Sequence, residues 1–174
     1  MKKITHFMMA AALTLATAGF VACGDKDNEN TESNTTYEES ATFAIYYQGQ
    51  KIAAGDTIQM VPTDAQVRND FAQADIDVEN KTANALQACI SMTKVEGPSA
   101  QNKVAICFSD VCCRTFTCPF TSDPFTMEPG QASANKITYD YTPSAITEHT
   151  LYRLSVGEGS DMANAQVVFI EHAK

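Results

Sequence analysis

The chain has 174 residues, with 12 Lys and Arg against 21 Asp and Glu, a formal charge of −9. That balance excludes the basic footprint on which nucleic-acid binding depends, and it disfavours flat adsorption to an anionic bilayer. Solubility and mutual repulsion account for its sign.

The chain opens "MKKITHFMMAAALTLATAGFVAC". Lys2 and Lys3 form a positive end, an apolar run of 16 residues follows from Phe7 to Ala22, and small residues close it. These are the three parts of an export signal. The run is shorter than the roughly 20 residues a spanning helix needs, and no later segment is long and apolar enough to cross a bilayer. Residues 1–22 are therefore expected to be a leader. Residues 23–40 are dominated by Asn, Glu, Ser, Thr and Asp, with one Tyr37 and no aliphatic side chain after Cys23. Such a segment buries too little apolar surface to offset its ordering entropy and is expected to be an acidic tether. Residues 41–174 then form one domain with its own core.

From Ala41 the pattern is of short strands. "TFAIYYQG" places Phe43, Ile45 and Tyr47 on one face by alternation. "DTIQMVP" is a second strand, closed by Pro62. Val61 to Ala74 reads as either a loop or a short helix. "ADIDVEN" alternates Ile76 and Val78 with acids. "ALQACISMTKV" puts Leu86, Ala88, Ile90 and Met92 opposite Gln87, Cys89, Ser91 and Thr93. "EGPSAQN" is a turn by composition, and "KVAICF" turns Val104, Ile106 and Phe108 inward. "PFTMEPG", "KITYDYTP", "TLYRLSV" and "AQVVFIE" complete the set. Leu151 and Leu154 break strict alternation, which predicts a bulge or a strand buried on both faces. Eight or nine short strands with turns between them predict an all-β, antiparallel sandwich.

Four of the six cysteines fall in "CFSDVCCRTFTC", residues 107–118. A zinc site pairs cysteines with short spacers and sets the two pairs well apart, whereas here the halves abut at Cys112–Cys113, with no histidine nearby. Redox catalysis favours Cys-x-x-Cys at a helix N-terminus, which this is not. Export makes structural disulfides the first reading of Cys107, Cys112, Cys113 and Cys118, with no metal. Parity leaves Cys89–Cys107 open as a rival, should their strands pair through the intervening turn.

Two resemblances sharpen this. "FVAC" at 20–23 resembles the lipobox of bacterial lipoproteins, with Phe20 in place of the usual Leu, and "GDKDNEN" after it resembles the acidic surface-export signal of Bacteroidota-type outer-membrane lipoproteins. The resemblance implies lipidation of Cys23, a membrane contact through that anchor, and display on the outer membrane, facing outward. "VAICFSDVC", "PFTMEPGQ", "ITYDYTP" and "LYRLSVGEGSDMANAQVVFI", within roughly 76–170, look like the immunoglobulin-like, fibronectin-type-III-like modules of such lipoproteins. In those modules cysteines at the spacing of Cys107 and Cys112 are joined, which leaves Cys113–Cys118 as the second bridge. With Cys23 acylated an odd number of cysteines remains, so one is free or intermolecular; under this scheme it is Cys89. "GDTI" resembles the acceptor of the O-glycosylation system found with these lipoproteins, with Thr57 as the modified hydroxyl.

No catalytic constellation is legible. His149 sits beside Glu148 in "TEHTLY", but neighbours on a strand face apart, and a triad needs base, acid and nucleophile together. There is no metalloprotease motif, phosphate loop or dinucleotide fingerprint. "GEGSDMAN" lacks the spaced acids of a dedicated calcium loop and reads as a hairpin turn. The expected role is non-enzymatic and cofactor-free: binding, adhesion or service in an envelope complex, toward a protein or glycan partner. Tyr46, Tyr47, Tyr139, Tyr141 and Tyr152 are the candidates for an exposed aromatic patch, although the absence of Trp weakens a sugar platform. The alternatives are a fimbrial-type subunit, which needs an incomplete sheet or an exchangeable strand, and an extracytoplasmic hydrolase.

Overall fold

The computed structural model describes residues 35–173, apart from the side chains of Cys112 and Cys113. The expected leader, the expected anchor at Cys23 and most of the expected tether lie outside the described residues. What is described is an all-β sandwich of twelve strands and one short helix. In chain order the strands are β1 (Phe43–Tyr47), β2 (Gln50–Ile52) and β3 (Thr57–Gln59), then, after helix α1 (Asp64–Asn69), β4 (Ala72–Asn80), β5 (Leu86–Glu96) and β6 (Lys103–Phe108). There follow β7 (Val111–Thr117), β8 (Phe120–Thr121), β9 (Phe125–Met127), β10 (Ile137–Tyr141), β11 (Thr150–Glu158) and β12 (Ala163–His172).

One sheet runs β2-β1-β4-β10-β6-β7, and the other runs β3-β12-β11-β5-β8 with β9 also on β5. All pairings are antiparallel except β3 with β12, which is parallel. Most neighbours are not consecutive in sequence, so the chain crosses repeatedly between the layers. The core lies where the two inner faces meet. Phe43, Ile45, Ile76, Val78, Ile106 and Ile137 of the first sheet are fully buried, as are Ile90, Met92, Leu154, Val156, Val168 and Ile170 of the second. Period-two alternation produces this directly, because successive strand side chains point to opposite faces.

Twelve strands exceed the eight or nine expected. β2 and β8 are too short to show a period, and β7 was hidden in the cysteine stretch. Val61 to Ala74 resolves into α1 followed by the start of β4. The helix starts with a capping box, in which Thr63 and Gln66 bond each other's backbone N–H, satisfying two otherwise orphaned donors. It ends at Asp70 in the left-handed conformation, φ 53°, and none of its residues is buried. β11 is bulged between Leu151 and Tyr152 and again between Val156 and Glu158. It also buries both faces near its end, since Ser155 is 9% exposed and a Cβ at Gly157 would lie 2.8 Å from the backbone of Met162.

The tether's last residues are held against the domain. Tyr37 packs edge-on to Phe169, Glu39 pairs with Lys51 at 2.8 Å, and Ser40 donates its N–H to Gln166 Oε1 at 2.9 Å. The domain therefore takes in residues that composition alone assigned to the tether.

Leu154 sits in mid-sheet, fully buried, and its truncation leaves a cavity that neighbouring strands cannot close. Leu154→Ala is expected to cost about 2–5 kcal/mol, measured as a lowered urea midpoint with an unchanged slope.

Candidate functional site

The expected tyrosines divide in two. Tyr139 and Tyr152 are core residues, 3% and 2% exposed, and with half-buried Tyr141 they surround a histidine that sequence reasoning passed over. His172 ends the inner row of β12 and is 1% exposed. Its ring lies 4.6 Å from Tyr141, 5.6 Å from Tyr139 and 6.2 Å from Tyr152, centroid to centroid. The Tyr139 hydroxyl and His172 Nε2 are 2.8 Å apart and hydrogen-bonded, while Tyr152 donates to the Gln101 carbonyl at 2.6 Å. Tyr46 lies apart and donates to Glu79 at 2.7 Å. These tyrosines make no exposed platform. The clue lay in the alternation Gln166, Val168, Ile170, His172, which puts a histidine in register with the core.

Burial sets the chemistry of the cluster. Desolvation disfavours the imidazolium and lowers the His172 pKa to about 4. It raises the phenol of Tyr152 to about 12 and that of Tyr139 well above its usual range. All three groups are neutral near pH 7. Nε2 of His172 is engaged by Tyr139, and no serine, threonine or cysteine among the described residues is hydrogen-bonded to the ring.

Above this cluster lies an apolar hollow of about 250 Å³. Met60, Tyr141 and His172 form its floor, Pro62 and Val67 one wall, and Pro143, Ser144 and Ile146 the other. Val67 lines it yet stays exposed, so α1 borders the hollow rather than filling it. The opposite wall is a strap, residues 142–146, built on the 3₁₀ turn Pro143–Ala145. Ser144 donates its N–H and its hydroxyl to the Asp70 carboxylate at 2.9 and 2.8 Å, which ties the strap to the helix C-cap. A second hollow of about 280 Å³ lies on the strap's other side and shares Tyr141 and Ile146 with the first. A lateral groove of about 340 Å³ between β7 and β8–β9 is rimmed by Asp110, Arg114 and Asp123. Its aromatic wall includes Phe108 and Phe125, 5.2 Å apart.

The remaining sequence candidates lie elsewhere. His149 is exposed between two acids, with Nδ1 3.4 Å from Glu96 and Nε2 2.7 Å from Glu171, and it lines none of these hollows. Among the described residues no three His, Cys, Asp or Glu side chains converge as a metal would require. "GEGSDMAN" forms the β11–β12 turn, with Gly159 and Met162 at φ 59° and 56°. Thr57 is exposed on edge strand β3.

The cysteines are redistributed. The rival Cys89–Cys107 is not formed: Cys89 is a buried free thiol, and the strand pairing on which that rival depended is absent, since β5 and β6 belong to different sheets. Cys118 is a buried free thiol, as is Cys89. Cys113–Cys118 is therefore not formed, for a geometric reason: five residues of extended chain hold their Cα atoms about 15 Å apart, whereas a bridge needs less than about 7 Å. The β6–β7 ladder shifts register between Ile106 and Phe108. That bulge sets Cys107 opposite both Cys112 and Cys113, two residues against one.

Two measurements check these assignments. The histidine binds a proton at pH 6.5 when unfolded but only near 4 when folded. Stability is therefore complete above pH 6.5 and falls as pH drops toward 4, with about 2 kcal/mol lost by pH 5. The lowered carboxyls Glu39, Glu158 and Glu171 act below their usual 4.5, so denaturant midpoints between pH 6.5 and 5 isolate His172, and His172→Gln should flatten that interval. Burial also raises the thiols of Cys89 and Cys118. Both are expected to resist iodoacetamide in the native protein and to react fully on unfolding; modification of either in native protein would contradict their placement.

No family model matches the chain, and no curated protein matches it. Among solved structures it is similar to the N-terminal domain of PorA, at 14% identity and TM-score 0.47, covering 75% of this chain and 95% of that one. It is similar to a FixG-related protein from Vibrio parahaemolyticus at 10% identity and TM-score 0.38, covering 76% and 94%. It is also similar to the enterotoxigenic E. coli adhesin CfaE at 7% identity and TM-score 0.33, covering 76% and 49%. At these values the likenesses carry no argument about role.

Proposed function

We propose that this chain is a lipid-anchored, surface-displayed sandwich that binds its partner non-catalytically through the hollow beside α1. The observation that carries this reading is the hollow itself: an apolar recess over a neutral histidine, bordered by an exposed helix. Binding recesses are mostly apolar with a few placed polar groups. Hydrolysis would need an activated nucleophile in reach of a base, and the described residues around His172 provide none. The burial of Tyr139 and Tyr152 and the lack of Trp favour an apolar group as the part of the partner that inserts, over the face of a sugar.

Display rests on the sequence: the leader, the lipobox-like "FVAC" and acylation of Cys23. The same reading makes exposed Thr57 a glycan acceptor and joins Cys107 to Cys112. The ladder supports that bridge, since it sets Cys107 across from Cys112 and Cys113.

Titrating isotope-labelled protein with small aromatic fragments is expected to shift the resonances of Met60, Val67, Tyr141, Ile146 and Ala173. Val67→Glu, at an exposed position, should weaken binding at least fivefold. Shifts confined to other surfaces, or none at all, would refute the binding site. Intact and non-reduced peptide mass spectrometry on protein from its native host is expected to begin at acylated Cys23, carry a hexose increment at Thr57 and show the Cys107–Cys112 link; an unprocessed N-terminus would refute the anchor.

A further inference from the structure

We infer that the two hollows flanking residues 142–146 are halves of one ligand cavity closed by that strap. Its ligand is a flat, largely apolar molecule carrying one N–H or O–H donor. This deepens the proposed function and rests on it.

Three observations converge. First, the hollows share Tyr141 and Ile146 as walls, so the strap is the partition between them. Second, the strap is held mainly by hydrogen bonds and little by packing. Thr142, Ser144 and Ala145 are exposed. Ser144 is bound to Asp70 at 2.9 and 2.8 Å, and the Ala145 carbonyl accepts from Gln101 Nε2 at 2.9 Å. The two bonds from Ser144 lie at an exposed site, where such bonds exchange readily with water. Third, Gln101 lines the second hollow, is 7% exposed, and its Oε1 is buried with no hydrogen-bond partner. Buried acceptors are nearly always paired, and each exception calls for an explanation.

Together these features specify the occupant. Lifting the strap from Gln101 frees the amide as donor and acceptor at the junction of the two hollows, above the rings of Tyr139, Tyr141 and Tyr152. A planar apolar body fits between such rings and the apolar walls. A donor on its edge satisfies Oε1, which the closed strap leaves orphaned. The neutral His172 adds no charge at the base of the first hollow, and the second is lined by one charge of each sign, Lys103 and Asp140, so no net charge is favoured in the ligand.

Indole and benzofuran test this, because they share a shape and differ at one edge atom, N–H against O. Full-length protein titrated with each is expected to bind indole about tenfold more tightly, with shifts at residues 101 and 141–146. Gln101→Met should remove that preference. Ser144→Ala, at an exposed position that leaves the core intact, should tighten both probes several-fold by easing the strap open. Equal affinity for the two probes in the native chain would overturn the donor assignment, and is the result expected if an internal water satisfies Oε1. Unchanged affinity in Ser144→Ala would overturn the joined cavity while leaving a binding hollow in place. Failure of both probes to perturb the hollow would overturn this inference and the proposed binding site together.

Discussion

The inner row of β12 places a polar side chain at each end of an otherwise apolar line, and much of the molecule is arranged around that fact. Gln166 and His172 flank Val168 and Ile170, and all four are buried. A buried amide and a buried imidazole must each find partners, because an unmet polar group in the core costs about 1–3 kcal/mol. Gln166 meets part of that demand by accepting from the Ser40 N–H, which pins the incoming chain where β1 begins. His172 meets it through Tyr139 on the facing sheet. The two sheets are thus keyed to each other by hydrogen bonds as well as by apolar contact.

The histidine also dictates how its end of the sandwich closes. Tyrosines supply rings for contact and hydroxyls for the polar groups, and three of them gather there. Large flat rings do not fill a rounded end, so the gap above them is spanned by α1 and by the 142–146 strap. Neither is driven there by burial: α1 buries no residue and is held by its capping box and by Asp70. Elements fixed by local hydrogen bonds over an apolar floor leave a recess, whereas elements fixed by packing would have filled it.

Much of this was legible in the sequence where alternation runs unbroken. The inward rows of β1, β4, β5, β6 and β10 follow from Phe43, Ile76, Ile90, Ile106 and Ile137 by counting in twos. The same count assigns His172 to the core, yet a histidine near the chain end draws no attention until its strand is known to pair on both sides. The tyrosines show the opposite difficulty. Tyr47 and Tyr139 look alike in sequence, since each follows an inward isoleucine, Ile45 or Ile137, by two, and only the position of the facing sheet decides that one is half-buried and the other buried. α1 lacks an apolar stripe, so periodicity could not find it. Its signal was Thr63-x-x-Gln66, a capping box rather than a face.

The strand inside the cysteine stretch was not legible because one added residue changes its phase. Counted in twos, Val111 and Arg114 belong on opposite faces. The bulge opposite Cys107 cancels the offset, so Val111, Arg114 and Phe116 all pair with inward residues of β6, namely Phe108, Ile106 and Val104. β7 is an edge of its sheet, and this phase turns the Arg114 guanidinium inward to lie 5.5 Å from the Phe116 ring. A bulge and an inward charge are two of the devices by which edge strands avoid pairing with other chains. Addition of a further strand, as a fimbrial-type assembly would require, meets both at this edge. The pole beside α1 carries neither device, which is why the recess there, and not the open edge, is the better surface on which to seek a partner.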